Sequence, residues 1–202
     1  MNVSVVIVTR GDVDLAPIIG QDWPDAVQEL VIWDNSKEQA DFKVYGRYEA
    51  IKRAAHPVIY VQDDDCLTPA AEIIAAYEPG RLVANMPRAR WEGYSDSALV
   101  GWGAVFDRDL PHRAFSEYAR SLFVESIVEL EHHAAEEFFI TCDVVFSSLT
   151  PRTIVDFPFT HLPWAEGPDR MFTSRPTHSE ERQRTLERCR EIRGEDDDRR
   201  DW

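Results

Sequence analysis

The chain has 202 residues and a formal net charge of −15, from 22 basic against 37 acidic side chains. That length carries one sizeable domain with a real core, or a domain plus a tail. The 44% of hydrophobic and 11% of aromatic residues predict that most of it is globular. The charge disfavours a general nucleic-acid binder or a protein of anionic membrane surfaces, while leaving room for a local basic pocket that takes a phosphate.

Cys66, Cys142 and Cys189 are widely spaced and form no CxxC pair. They predict free thiols in a reducing compartment rather than a zinc site or a disulfide framework. The opening "MNVSVVIVTRGD" lacks the basic start and apolar length of a signal peptide. No stretch approaches the roughly 18 uninterrupted apolar residues of a membrane span. The expectation is a soluble, cytoplasmic protein.

In chain order, "VSVVIV" (residues 3–8) is a continuous β-branched run ending in "TRGD", the pattern of a strand buried on both faces. A short helix is expected over residues 12–19, broken near Gly20 and Pro24. "ELVIWDNS" (29–36) reads as a second strand running into a polar turn. "GRYEAIKRA" (46–54) has helical spacing, "HPVIYVQ" (56–62) is a third strand, and three aspartates, Asp63, Asp64 and Asp65, stand directly behind it. "PAAEIIAAY" (69–77) is a helix with Pro69 suited to its first turn, and "RLVANM" (81–86) a fourth strand. This alternation predicts a single α/β domain with a mostly parallel sheet flanked by helices. In such sheets ligands gather at the carboxyl ends of the strands, where "TRGD", "DNS" and "DDD" all sit.

The second half is less regular. "SALVGWGAVF" (97–106) reads as a straight or bent strand where something approaches the backbone closely. Helices are expected over 115–128 and 135–149, then a Pro- and aromatic-rich loop over 156–172, long enough for a functional flap. A charged helix follows from Ser179, so the chain divides into a domain of residues 1–178 and a helix or tail of 179–202.

Three adjacent carboxylates at a strand end repel one another at a cost on the order of a kcal/mol when partly desolvated. A divalent cation with hard-oxygen preference, Mg²⁺ or Mn²⁺, removes that cost. The structural alternative is a solvated turn in which Asp65 or Thr68 caps the following helix. For Asp143, set among apolar residues in "FFITCDVVF", the alternatives are a half-buried helix-capping residue or a carboxylate facing reacting atoms. Trp102, between Gly101 and Gly103, suits either stacking on a sugar ring or core packing; Trp164 is equally open. His56 reads as structural, and His132 and His133 as solvated.

With its buried first strand and a later strand closing on Asp-x-Asp, the chain resembles the GT-A (Rossmann-like) glycosyltransferases. More narrowly it is similar to the exostosin-type family, retaining transferases that build heparan-like chains, and to bacterial and viral relatives. "VIWDNS" resembles that family's strand closing on Trp-Asn-Asn, with Asp34 in place of the first asparagine. "GRYEAI" resembles its Asn-Arg-Phe, with Gly46 in place of the asparagine. Asp63 to Asp65 match its metal motif, and "LVGWGAVF" is similar to its Leu-Thr-Gly-Ala-Ala-Phe. "TCDVVF" is similar to its Cys-Glu-Asp-Ile, with Asp143 keeping the aspartate and Cys142 in the glutamate's place.

The resemblance implies hexosyl or N-acetylhexosaminyl transfer, with retention, from a nucleotide sugar (a UDP-sugar by preference) to a hydroxyl acceptor, using Mn²⁺ or Mg²⁺. It implies Thr9, Arg10 and Asn35 at the base and ribose, and Arg47 and Asp64 on the nucleotide side. Asp65 would hold the metal, with Asp63 at the ribose or a metal-bound water. Asp143 would lie near the reacting sugar, where an inverting reaction would make it the general base instead. The late segment "SRPTHSEER" supplies Arg175, His178 and Arg182; Arg175 would clamp the leaving group and His178 would ligate metal or phosphate, with Arg170 as a rival clamp. Acceptors in keeping with the chain are a glycan, a small or lipid-linked glycoside, or a hydroxylated DNA base, the last disfavoured by charge. Two other readings stand beside this one: a nucleotidyltransferase acting on a sugar phosphate, though "TRGDVD" has one glycine where a Gly-rich phosphate loop is usual, and a non-catalytic sugar- or metal-binding module.

Overall fold

The run Val3–Thr9 forms β1 and is buried at all seven positions. Burial on both faces is explained by its place inside a six-stranded sheet. The computed structural model describes residues 1–38, 40–122, 135–165 and 175–194. In it β1 lies between β2 (Val27–Asp34) and β3 (Val58–Asp63), parallel to both. The sheet continues through β6 (Ala104–Asp107), antiparallel to β3, to β5 (Leu82–Asn85), antiparallel to β6, and ends in β7 (Arg152–Val155), parallel to β5. A separate two-residue ladder pairs β4 (Cys66–Leu67) with β8 (Thr160–His161). The sheet is mostly parallel and flanked by helices, as the sequence predicts.

The two-residue period of the strands assigns side chains to faces. Val3, Val5 and Ile7, with Tyr60 and Val105, meet Ile18 of α1 (Ala16–Ile19) and Ile73 and Ile74 of α3 (Ala70–Ala75). Val6 and Val8, with Val61 and Phe106, meet Tyr48 and Ile51 of α2 (Gly46–Arg53), Phe115 of α4 (Leu110–Ser121), and Phe138 and Phe146 of α5 (Ala135–Leu149). Phe115 and Phe138 pack edge to face with centroids 5.2 Å apart, an arrangement favoured by the ring quadrupoles. α6 (His178–Ile192) packs on α5, burying Leu186 and Cys189, with the Thr185 and Thr141 hydroxyls 3.1 Å apart. All three cysteines are buried and free.

Several segments differ from expectation, and the helix expected over 12–19 forms only at Ala16–Ile19. The strand expected over 97–106 shrinks to Ala104–Asp107. Ahead of it the Gly101 carbonyl accepts the Asp63 N–H at 2.7 Å, and Gly103 takes φ +96°, which turns the chain. β7 carries no legible strand signal, because its "RTIV" is only four residues long and all are half-buried. Residues 123–128 of the expected 115–128 helix lie outside the described residues. Among the described residues no helix is long and apolar enough to cross a membrane.

Candidate active site

Register brings the three polar strand ends to one edge. Thr9 is opposite Asp34 on one side of β1, and Val8 is opposite Asp63 on the other. β3 ends at Asp63, Asp64 and Asp65 form the turn, and β4 leaves from Cys66. The backbone of this turn is tied to the aromatic segment that follows β8. The Trp164 indole N–H donates to the Asp64 carbonyl at 2.8 Å, and the Leu162 N–H donates to the Asp65 carbonyl at 2.7 Å. Asp64 is buried, while Asp63 and Asp65 are half-buried.

Gly101 is where the backbone is approached. A Cβ there would overlap the Asp63 carboxylate, so this glycine makes room for that side chain. Beneath it, buried Cys66 directs its Sγ toward the Gly101 carbonyl at 3.5 Å.

Asp63, Arg47 and Asp143 meet across three elements. Arg47, in the first turn of α2, is fully buried; its Nη2 donates to Asp63 and its Nη1 to Asp143 Oδ2 at 2.8 Å. The neighbouring Tyr48 hydroxyl donates to Asp143 Oδ1 at 2.6 Å. Burial favours loss of the Arg47 proton, but Asp143 and then Asp63 outweigh it and raise its pKa, so the guanidinium stays charged. Burial pushes Asp143 above the ordinary carboxylate value, with Arg47 and the Tyr48 hydroxyl pulling the other way. Both Nη groups of Arg47 therefore hold carboxylates, whereas the resemblance implied a contact to nucleotide. Tyr48 was missed by the sequence reading. Its only signal is adjacency to Arg47 on a helix.

At the ends of β1 and β2 the side chains are engaged locally. The Asn35 Oδ1 accepts the Trp33 indole N–H at 3.0 Å and the Phe42 N–H at 3.3 Å, while its Nδ2 donates to the Lys43 carbonyl at 3.0 Å. Thr9 is buried and its hydroxyl accepts the Gly11 N–H at 3.1 Å; Arg10 pairs with Asp12. Gly46 allows a close approach: a Cβ there would lie 2.6 Å from Trp33 Cδ1.

The late residues divide. Arg175 grips Glu181 with Nε and Nη2, at 2.8 and 2.7 Å, and Glu136 with Nη1 at 2.6 Å. Those partners raise its pKa, and its guanidinium fastens the start of α6 to α5. Arg182 lies one turn beyond His178 on α6. It donates to the Ser97 hydroxyl at 2.8 Å and lies 3.9 Å from the Tyr94 ring centroid. Burial lowers its pKa, opposed by Tyr94 and Asp143. Burial and then Arg182 also lower the pKa of His178, whose Nδ1 is buried with no hydrogen-bond partner among the described residues. Arg182 belongs to the late segment "SRPTHSEER" from which the sequence offers basic candidates, and its four-residue spacing from His178 puts the two on one helix face. Arg170, His132 and His133 lie outside the described residues.

The turn offers hard carboxylate oxygens, a donor set that fits Mn²⁺ or Mg²⁺. Among the described residues, however, no three His, Cys, Asp or Glu side chains are gathered into a preformed metal cluster, and Asp63, Asp65 and His178 are not one. Asp63 already faces Arg47. The arrangement fits an ion that takes one or two carboxylates and completes its shell with phosphate and water.

No protein-family model and no curated protein sequence matches the chain. Solved structures do. Glucosyl-3-phosphoglycerate synthase from Mycobacterium tuberculosis, in complex with Mn²⁺, UDP and phosphoglyceric acid, is 12% identical with a TM-score of 0.51, over 93% of this chain and 78% of that one. Its complex with Mg²⁺ and UDP aligns at 12% identity and a TM-score of 0.47, over 93% and 79%. Mannosyltransferase PcManGT from Pyrobaculum calidifontis, in complex with GDP-Man and Mn²⁺, is 19% identical with a TM-score of 0.41, over 55% of this chain. This chain spans 46% of that mannosyltransferase's length. The strand order, the flanking helices and the near full-length superposition on the mycobacterial synthase give this chain the GT-A fold.

Proposed function

We propose that the chain is a metal-dependent glycosyltransferase that moves a hexosyl or N-acetylhexosaminyl group from a nucleotide sugar to a hydroxyl acceptor. In this reading the donor is a UDP-sugar and the configuration is retained, as in the exostosin-type family that the strand-end motifs resemble. The observation that carries the proposal is the bridge Asp63–Arg47–Asp143 at the carboxyl edge of a GT-A sheet, beside a turn of carboxylates. A fold alone does not specify chemistry; this juxtaposition is what supports it. The transferase domain is residues 1–178, closed by the helix and tail of 179–202.

Asp65 and Asp63 would hold Mn²⁺ or Mg²⁺, which supplies neutralisation of the diphosphate charge as the leaving group departs. Arg47 and Tyr48 fix the Asp143 carboxylate in one orientation. There it stabilises positive charge on the anomeric carbon of the donor sugar. The bond from that carbon to the phosphate oxygen breaks, the bond to the acceptor oxygen forms on the same face, and the acceptor's proton passes to the departing phosphate. In this reading His178 would ligate metal or phosphate, and Arg182, one turn along α6, would add positive charge. Thr9, Arg10 and Asn35 shape the edge against which base and ribose would lie.

Thermal denaturation with UDP, GDP and their sugars, each with and without Mn²⁺, tests the donor side. A Mn²⁺-dependent rise with UDP is expected, and silence across all nucleotides would sink the reading. Asp143→Asn is expected to abolish turnover while nucleotide binding survives; a non-catalytic module has no turnover to lose.

A further inference from the structure

Beside the aspartate turn lies a cluster of aromatic and basic side chains that the donor reading does not use. Trp102 directly follows Gly101, the residue packed on the Asp63 carboxylate. Its ring is 4.9 Å from Phe159 and 5.4 Å from His161, which are 5.0 Å from each other. His161 is opposite Cys66 in the β4–β8 ladder, so the cluster is joined to the aspartate turn by backbone pairing. Buried Asn85 ties it together from below. Its Nδ2 donates to the Trp102 and Phe157 carbonyls, each at 3.2 Å, and its Oδ1 accepts the Phe157 N–H at 2.8 Å.

Two arginines border these rings. The Arg90 guanidinium stands 5.8 Å from the Trp102 centroid, at the outer limit of a cation–π contact. Arg90 is exposed and makes no side-chain hydrogen bond or ion pair among the described residues. Arg88 is exposed, stands 5.4 Å from the centroid of exposed Trp91, and reaches a carboxylate, Asp156, only at 3.6 Å. In a chain of net charge −15, most surface cations have a carboxylate within easy reach. An arginine left over a tryptophan is a cation held ready for an anion.

We infer that Trp102, Phe159, His161 and Arg90 form an acceptor-binding platform for a pyranose that carries an anionic group. The C–H face of the sugar ring lies on Trp102 and Phe159, and a carboxylate or phosphate on that sugar meets Arg90, with Arg88 adding long-range attraction. Its role as acceptor rests on the transferase reading, while its binding of anionic sugar rests on the platform alone.

Ligand-observed saturation-transfer NMR on the full chain tests it with methyl glucuronide, glucose 6-phosphate and neutral methyl glucoside. At least one anionic sugar is expected to bind about ten-fold or more tightly than the neutral one, with saturation strongest on its ring protons. The two anionic probes tell a carboxylate-bearing acceptor from a phosphate-bearing one. Arg90→Gln, at an exposed position, is expected to keep the melting temperature and to reduce the anionic sugar to the neutral sugar's level. His161→Ala, equally exposed, is expected to weaken both kinds of sugar. Equal binding of neutral and anionic sugars, binding of neither, or an Arg90→Gln variant that binds as before would each overturn the platform. If UDP with Mn²⁺ raises the melting temperature but no anionic sugar binds, the platform fails and the donor reading stands. If anionic sugar binds at the platform but no nucleotide does, the platform stands and the donor reading fails.

Discussion

Replacing Arg47 by methionine removes the cation that bonds both carboxylates while keeping an apolar side chain at a buried position. Arg47 is 1% exposed, whereas the Asp63 and Asp143 side chains are 32% and 22% exposed. Each charge-assisted hydrogen bond is worth about 1.5–3 kcal/mol net, so the two together set an upper range of about 3–6 kcal/mol. Breaking a fully buried pair costs about 3–5 kcal/mol, and the partial exposure of both aspartates lets water take over some of the lost contacts. An expected loss of about 3 kcal/mol follows. For a chain of this size that corresponds to a melting temperature lower by roughly 6–12 °C. Urea unfolding at neutral pH measures the loss directly. If Asp63 and Asp65 take a divalent cation, Mn²⁺ should restore part of the lost stability, because it supplies the missing positive charge; at a hundred times its Kd the recovery is about 2.7 kcal/mol. A variant within about 0.5 kcal/mol of the parent would refute the reasoning, since it would mean that the bridge is not made in solution.

Two further outcomes follow from the same geometry. Gly101→Ala places a methyl group where the Asp63 carboxylate sits, so Asp63 must rotate away from Arg47. Strain of about 1–3 kcal/mol and Mn²⁺-dependent UDP binding weakened about ten-fold or more are expected, measured by urea unfolding and calorimetry; unchanged metal dependence would show that Asp63 is not part of the site. The Arg175 grip holds the Glu181 carboxyl below its ordinary value of 4.5. A carboxyl with a lowered folded pKa stabilises the fold above the unfolded value, and that contribution is lost as pH falls through the folded one. Glu181→Gln should therefore show a shallower loss of urea midpoint between about pH 5 and pH 3 than the parent chain, and identical slopes would rule out the coupling.

How much of this was legible beforehand depends on the range over which each feature is decided. Val3–Thr9 announces a doubly buried strand because burial and β-branching are written in consecutive residues. The same holds for the strand ends at Thr9, Asp34 and Asp63, since a parallel α/β order brings such ends to one edge whatever the details of packing. The closeness required at Gly101 was also legible, as a glycine pair inside an apolar run. Its partner was not, because Asp63 is brought there by the pairing of β3 with β6.

The sequence by itself determined the fold class, the carboxylate edge, and the candidacy of Asp63 and Asp143, since these follow from local patterns and residue chemistry; Arg47 became a candidate through the family resemblance of "GRYEAI". Only the tertiary structure decided that Arg47 bridges the two aspartates, that Tyr48 joins it, and that Arg175 fastens α6 while Arg182 reaches Ser97 and Tyr94. Likewise it alone set Trp102 beside His161 and Arg90. The physical reason is that a charged side chain takes whichever opposite charge lies nearest in space. For residues 96 positions apart, such as Arg47 and Asp143, that distance is set by helix packing on the sheet and is written in no single stretch of the chain.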